Sequence, residues 1–178
     1  CLWRTDMAQP NEERSNVRNA GVEDLDQVSL LIRDAYQEYQ ANFAPEVWER
    51  YSREIMDVRS RLDTSELIVA ENSGRLVGAV TFYPNTSPSD QGGWPAGWTG
   101  IRLLAVHPDA RGMGIGRVLM DECLRRSRLL SATALGLHTT ELMGIAQGMY
   151  ERMGFVRVPE YDFQAGPEVV VLGYRLDL

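Results

Sequence analysis

Ile101-Arg102-Leu103-Leu104-Ala105-Val106, followed after His107-Pro108-Asp109-Ala110 by Arg111-Gly112-Met113-Gly114-Ile115-Gly116-Arg117, is the stretch on which the reading of this chain turns. An apolar run with strand character ends in a proline turn, and glycines then open a helix that extends to about Leu130. Such a junction builds an anion site. The first turn of a helix carries free N–H groups and the positive end of the peptide dipoles. Glycine lets that backbone approach a phosphate closely, because no Cβ intervenes. Each charge–dipole contact contributes ~0.3–1 kcal/mol, so several amides acting together hold a diphosphate. The alternative, a flexible turn with a helix cap, gives no reason for three alternate glycines.

Two familiar phosphate-binding patterns fail at identifiable residues. A P-loop requires Gly-Lys-Ser/Thr, and here the chain reads Gly116-Arg117-Val118. A dinucleotide-binding turn requires G-x-G-x-x-G, and its last glycine falls on Arg117. The composition narrows the field further. All 18 cations are arginine, which excludes Schiff-base chemistry on lysine. A net charge of −7 argues against nucleic acid as a partner. Two cysteines and two distant histidines suit neither a disulfide framework nor a zinc site, so no metal is expected and a reducing, cytoplasmic setting is. No apolar run approaches the ~18 residues of a membrane span, and the first ten residues lack the apolar segment of a secretory leader. Met7 is read as the natural start and residues 1–6 as an upstream extension. Residues 1–16 are expected to be a disordered N-terminal extension, with 17–178 a single domain.

Outward from the central stretch, the periodicities set an element order. Residues 17–20 read as a strand. Asp24 reads as the N-cap of a helix with Leu25, Val28, Leu31, Ile32, Ala35 and Tyr36 on one face. A second helix follows Pro45, with Val47, Trp48, Tyr51, Ile55, Val58 and Leu62 as its apolar positions. Residues 66–71 and 76–83 form a hairpin around Asn72-Ser73-Gly74-Arg75. Residues 84–98 make a polar loop long enough to suggest a functional role. The strand 99–106 and the glycine-opened helix come next, then strand Ala134–Thr140, helix 142–153, and strands 155–158 and Val169–Asp177. This order predicts an α/β (α+β) fold, a mixed central sheet of about six to seven strands flanked on both faces by about four helices.

Arg111, Gly114 and Gly116 satisfy R-x-x-G-x-G/A, in the context of Leu104-Ala105-Val106 and His107-Pro108. Ala146, Tyr150 and Glu151-Arg152-Met153-Gly154-Phe155 satisfy A-x-x-x-Y-E-x-x-G-F. With both patches the chain resembles the GNAT superfamily of N-acetyltransferases, which hold the pyrophosphate of acetyl-CoA on the first element. The resemblance implies acetyl-CoA as cosubstrate. It places Leu104, Ala105, Val106, Arg111, Gly112, Met113, Gly114, Ile115, Gly116, Arg117, Met143 and Ala146 against it. It also implies two splayed parallel strands, a Val106 N–H that meets the thioester oxygen, and Tyr150 as the acid that protonates the leaving thiolate. Two positions depart from the pattern. Met143 stands where many relatives carry asparagine, and Gly100 stands where many carry a glutamate base. The general base is thereby unassigned, with His138, Glu141 or solvent as candidates.

The function so implied is transfer of an acetyl group to a primary amine of a small molecule, by direct attack in a ternary complex. The alternatives are acetylation of protein N-termini or lysines, and a catalytically silent acyl-CoA-binding module. The acceptor is expected between the first two helices and the long loop, where Tyr36, Tyr39, Phe43, Trp48, Tyr83, Trp94 and Trp98 concentrate, with Trp94 and Trp98 as pocket walls. The resemblance also allows a homodimer.

Overall fold

Apolar side chains occupy both sides of the pleat in the middle strands. In the strand Glu66–Asn72, Leu67 and Val69 join one core cluster while Ile68 and Ala70 join the other. A strand apolar on both faces must be covered on both. In the computed structural model, which describes residues 15–90, 92–167 and 169–178, helices supply that cover on each side. The expected extension at 1–16 lies outside the described residues except at its end, where Asn16 already opens a strand.

The sheet comprises β1 (Asn16–Asn19), β2 (Glu66–Asn72), β3 (Arg75–Tyr83), β4 (Trp98–Val106), β5 (Ala134–Thr140), β6 (Val156–Arg157), β7 (Phe163–Gly166) and β8 (Val169–Asp177). Its order is β1-β2-β3-β4-β5-β8-β6, with β7 also on β8. Only β4 and β5 run parallel; the other pairs are antiparallel. The sequence expectation of six to seven strands misses β7. Its residues Phe-Gln-Ala-Gly carry little strand pattern, and pairing with β8 makes them a strand.

Helix α1 (Leu25–Tyr36) buries the six predicted apolar residues, and α2 (Pro45–Met56) starts on proline and buries Trp48 and Ile55. Both cover the face that carries Leu67, Val69 and Ala79. On the opposite face lie α3 (Ile115–Leu129) and α4 (Gly144–Arg152), which contributes Tyr150. Asp24 occupies the N-cap position of α1 as read, but its side chain makes no cap bond to that helix; its carboxylate accepts the Gly21 N–H at 2.7 Å and the Arg18 guanidinium at 2.6 Å, closing the preceding short turn. Two helix boundaries differ from expectation. Helix α2 stops at Met56, so Val58 packs from a turn and Leu62 is exposed. Leu142 and Met143 form a turn, and α4 opens at Gly144.

Gly78 on β3 positions α3. A Cβ there would stand 2.6 Å from the Ile115 Cγ2 and 2.9 Å from the Leu119 Cδ1. Its absence lets the first turn of α3 settle onto the sheet beside the end of β4.

Candidate active site

The parallel pair β4–β5 is hydrogen bonded only along its first half. The register runs Trp98↔Ala134, Thr99↔Leu135, Gly100↔Gly136 and Ile101↔Leu137, and then stops, although both strands continue. On its other edge β4 stays with β3, but Arg102 faces Thr81 and Ala105 faces Ala79, so β4 holds one residue more than its partner. Leu103 absorbs that bulge at φ 54°. Bulges bend the strand that carries them, here away from β5.

The opened edge exposes backbone. His107 donates its N–H to the Val77 carbonyl at 2.8 Å. Residues 105 and 107 therefore turn their amides toward β3, and Val106 turns its own into the gap. The Leu104 carbonyl accepts the Tyr36 hydroxyl at 3.3 Å, which ties α1 to the same edge. Ala105, buried, points its methyl into the α1–α2 cluster, while Leu104 and Val106 pack on the α3 side.

At the head of this gap sits the N-terminus of α3. Gly112 and Gly114 both take φ 78°, and Gly114 is the N-cap residue without a side-chain cap bond. The first helical bond is Val118 N–H to the Gly114 carbonyl at 3.1 Å. Among the described residues, no acceptor is bonded to the amides of residues 112–117. A Cβ on Gly112 or Gly114 would meet nothing within 4 Å, so this face is open, whereas one on Gly116 would lie 3.4 Å from Met149 and 3.7 Å from Val106. Gly116 thus seats α3 against α4 and β4. Ile115 is buried beneath, and Met113 projects outward, 55% exposed. Arg111 does not face the loop it opens: its guanidinium grips Glu38 at 2.8 Å and the Ala35 carbonyl at 3.1 Å, and its amide bonds Pro108. Arg117 pairs with Asp121 at 3.0 Å. The main chain, rather than these side chains, leaves donors free here. A diphosphate fits this cradle: free donors converge, no Cβ blocks them, and the helix dipole is favourable.

Tyr150 stands on α4 in the core cluster of the α3 side, beside Phe155 at 5.8 Å. It is 5% exposed, and among the described residues its hydroxyl has no partner yet is not one of the sealed polar atoms, so the oxygen keeps access to solvent. Burial pushes its ionisation well above that of a free phenol, so it stays protonated at neutral pH. Ala146 packs one turn before it, and Met143 leans on the α1–α2 cluster.

The opposite mouth of the gap opens into a cleft of about 940 Å³ between α1, α2, the loop 84–97 and the β7–β8 hairpin. Tyr36, Tyr39, Phe43, Tyr83 and Trp94 line it as expected; Trp48 and Trp98 do not. Tyr51, His138 and Phe163 are among the other residues that line it. Phe163 was invisible to sequence reading because its strand was. Trp94 is a buried staple more than a wall, 4% exposed and stacked on Trp98 at 5.6 Å and His138 at 4.4 Å. Its indole lies on the paired glycines of β4 and β5. A Cβ on Gly136 would come within 2.6 Å of the ring, and one on Gly100 within 3.3 Å. Gly100 therefore holds the indole where a glutamate would displace it. Glu141 is exposed and off the cleft, whereas His138 lines it. Among the described residues, no group of three or more His, Cys, Asp or Glu is placed to hold a metal, and no helix is long and apolar enough to cross a membrane.

Similarity to known proteins agrees with this geometry. The chain is 31% identical over 134 residues to a mycothiol acetyltransferase of Propionibacterium freudenreichii, spanning 75% of this chain and 40% of that protein. It is 30% identical over 112 residues to a mycothiol acetyltransferase of Geodermatophilus obscurus, spanning 62% of this chain and 35% of that one. The chain thus covers well under half the length of these curated relatives. The PaiA N-acetyltransferase of Thermoplasma acidophilum, solved in complex with coenzyme A, superposes with TM-score 0.69 at 16% identity, covering 90% of this chain and 98% of that one. The pattern that defines the Acetyltransferase (GNAT) family matches residues 31–155, more than half of the chain, and with a split parallel pair and a glycine-opened helix at its head the chain belongs to that family.

Proposed function

We propose that residues 17–178 act as one acetyltransferase domain that moves an acetyl group from acetyl-CoA to a primary amine of a small molecule. The observation that carries this reading is the set of unpartnered amides at residues 112–117, placed at the head of the β4–β5 gap. In this reading those amides hold the diphosphate, and the gap-facing groups of Leu104 and Val106 pair with the pantetheine arm. Ala105, Met143 and Ala146 shape its channel. The Val106 N–H stabilises the oxyanion, a donor of the kind that contributes ~2.7–4 kcal/mol to a transition state. Tyr150 gives its proton to the departing sulfur. Relatives named as acetyltransferases support the transferred group. A walled cleft on the far side of the gap suits a whole small molecule better than an extended protein segment.

Calorimetry with acetyl-CoA tests the anion site. Gly114→Val places a side chain at φ 78° and in front of the amides, and is expected to abolish measurable affinity while the melting temperature stays near wild type. Undiminished affinity overturns the assignment. Turnover is read as free thiol with tyramine, spermidine, lysine and kanamycin as acceptor probes; binding of acetyl-CoA without acetylation of any of them overturns the small-amine reading.

A further inference from the structure

The family pattern leaves the proton acceptor open, and the geometry around His138 closes it. His138 lies on β5 one residue beyond the last β4–β5 pair, Ile101↔Leu137. Strand alternation turns Leu137 into the α3-side core and His138 to the other face, where it lines the acceptor cleft. Its ring is held from two sides, stacked on Trp94 at 4.4 Å and 24° and edge-on to Phe163 at 5.2 Å and 72°. Its Nε2 lies 2.9 Å from the Tyr161 carbonyl. A carbonyl only accepts, so Nε2 carries the hydrogen and Nδ1 keeps a lone pair. Among the described residues Nδ1 has no partner, and it is not among the sealed polar atoms, so it remains open to an entering ligand.

We propose that His138 is the general base of the transfer, receiving through Nδ1 the proton shed by the attacking amine nitrogen. The proposal rests on the acetyltransfer reading above. It places base and acid on opposite faces of the sheet, His138 on the acceptor side and Tyr150 on the α3 side, with the gap between them. As the nitrogen bonds to the thioester carbon, its proton passes to Nδ1. The C–S bond then breaks with its electron pair on sulfur, and sulfur takes the proton of Tyr150. The imidazolium returns its proton to solvent and the phenolate recovers one, so the sum is amine plus thioester to amide plus thiol.

The surroundings keep this base in the form it needs. Burial lowers its proton affinity below that of a free imidazole, although the hydrogen bond to Tyr161 opposes that effect. Arg102 on β4 lowers it further and Asp162 raises it. Asp162 is held by Arg157 at 2.7 Å and by the Gly173 N–H at 2.8 Å, and Arg102 lies 3.5 Å from Glu54. The loop that carries Trp94 adds Asp90 to the cleft, while β8 sets Gly173 opposite His138. Burial thus favours the neutral ring, the form that can accept a proton.

The test is the pH dependence of kcat/KM for the full chain with the fastest of the four amines. The wild type is expected to lose rate on the acid side, at a pH below the ordinary imidazole range. His138→Gln is expected to lower kcat by roughly 10²–10³-fold and erase that limb, with acetyl-CoA affinity by calorimetry unchanged. His138→Ala, its fold checked by melting, is expected to regain turnover with free imidazole. An acid limb that survives in His138→Gln, or a loss that imidazole does not restore, overturns the assignment and leaves His138 a packing residue. A wild type that binds acetyl-CoA but acetylates none of the four amines removes the small-amine reading, and the base with it. An active wild type beside a fully active His138→Gln removes the base alone.

Discussion

Trp98–Ile101 and residues 102–106 belong to one strand, yet their backbones meet different fates. The first half is zipped to β5 and roofed by an indole; the second keeps β3 on one side and leaves its other edge open. Residue chemistry alone does not separate them, since Thr-Gly-Ile and Leu-Ala-Val both pass as sheet formers. Two local devices do. Gly100 facing Gly136 makes a shelf flat enough for Trp94, and Leu103 at φ 54° introduces the extra residue that bends the strand away. The closed half fixes the geometry from which the open half departs.

Proline substitutions probe that contrast most sharply. In Val106→Pro the lost N–H faces the gap, so no ladder bond disappears; kcat is expected to fall ~10²–10³-fold while melting stays near wild type. In Ala105→Pro the lost N–H faces β3, and the expected cost is about 1–3 kcal/mol of stability from an orphaned acceptor. Equal melting of the two variants would break the distinction between the edges. Next in size, Tyr150→Phe is expected to lower turnover about 10²-fold, with acetyl-CoA binding in calorimetry retained. Full activity would remove the phenol from the chemistry. On the closed half, Gly136→Ala drives a methyl into the Trp94 ring and is expected to cost about 1–3 kcal/mol in denaturant unfolding, with loss of Trp94 burial by fluorescence. Smallest is the response to acid. Arginine partners hold Asp24 and Asp162 below the usual carboxylate range, and Arg125 and Arg126 bring Glu122 down to about 2. Their folded values lie below the unfolded ones, so their stabilisation is present above about pH 4 and is lost as pH falls through the folded values. Melting followed from pH 5 to pH 2 is expected to decline gradually, with Asp162→Asn showing a shallower decline.

The sequence announces the periodic parts of this fold and is silent on what depends on distant partners. Leu25, Val28, Leu31, Ile32, Ala35 and Tyr36 predict α1 because a helix face is written at fixed spacing. The glycines at 112, 114 and 116 predict an open helix start for an equally local reason. Trp94 was legible only as an aromatic on a polar loop; the glycines beneath it, 100 and 136, belong to two other segments, and nothing in either names the ring they receive. Arg111 reads as part of the anion loop, but Glu38, far upstream, draws its guanidinium onto the end of α1. β7 becomes a strand only once β8 is in place, and Phe163 reaches His138 by that route.

The staple formed by Trp94 holds its loop together with a few local bonds, Asp90 N–H to the Ser87 carbonyl and Gly93 N–H to the Asp90 carbonyl among them. Thr86 ties the loop ends through the carbonyls of Pro95 and Trp98, at 2.8 and 3.1 Å, and the indole anchors the middle. Substitutions between these fastenings are expected to leave the start of α3, built from another segment, as it is. The wall that faces the cleft and the helix end that faces the gap are thus carried by separate segments.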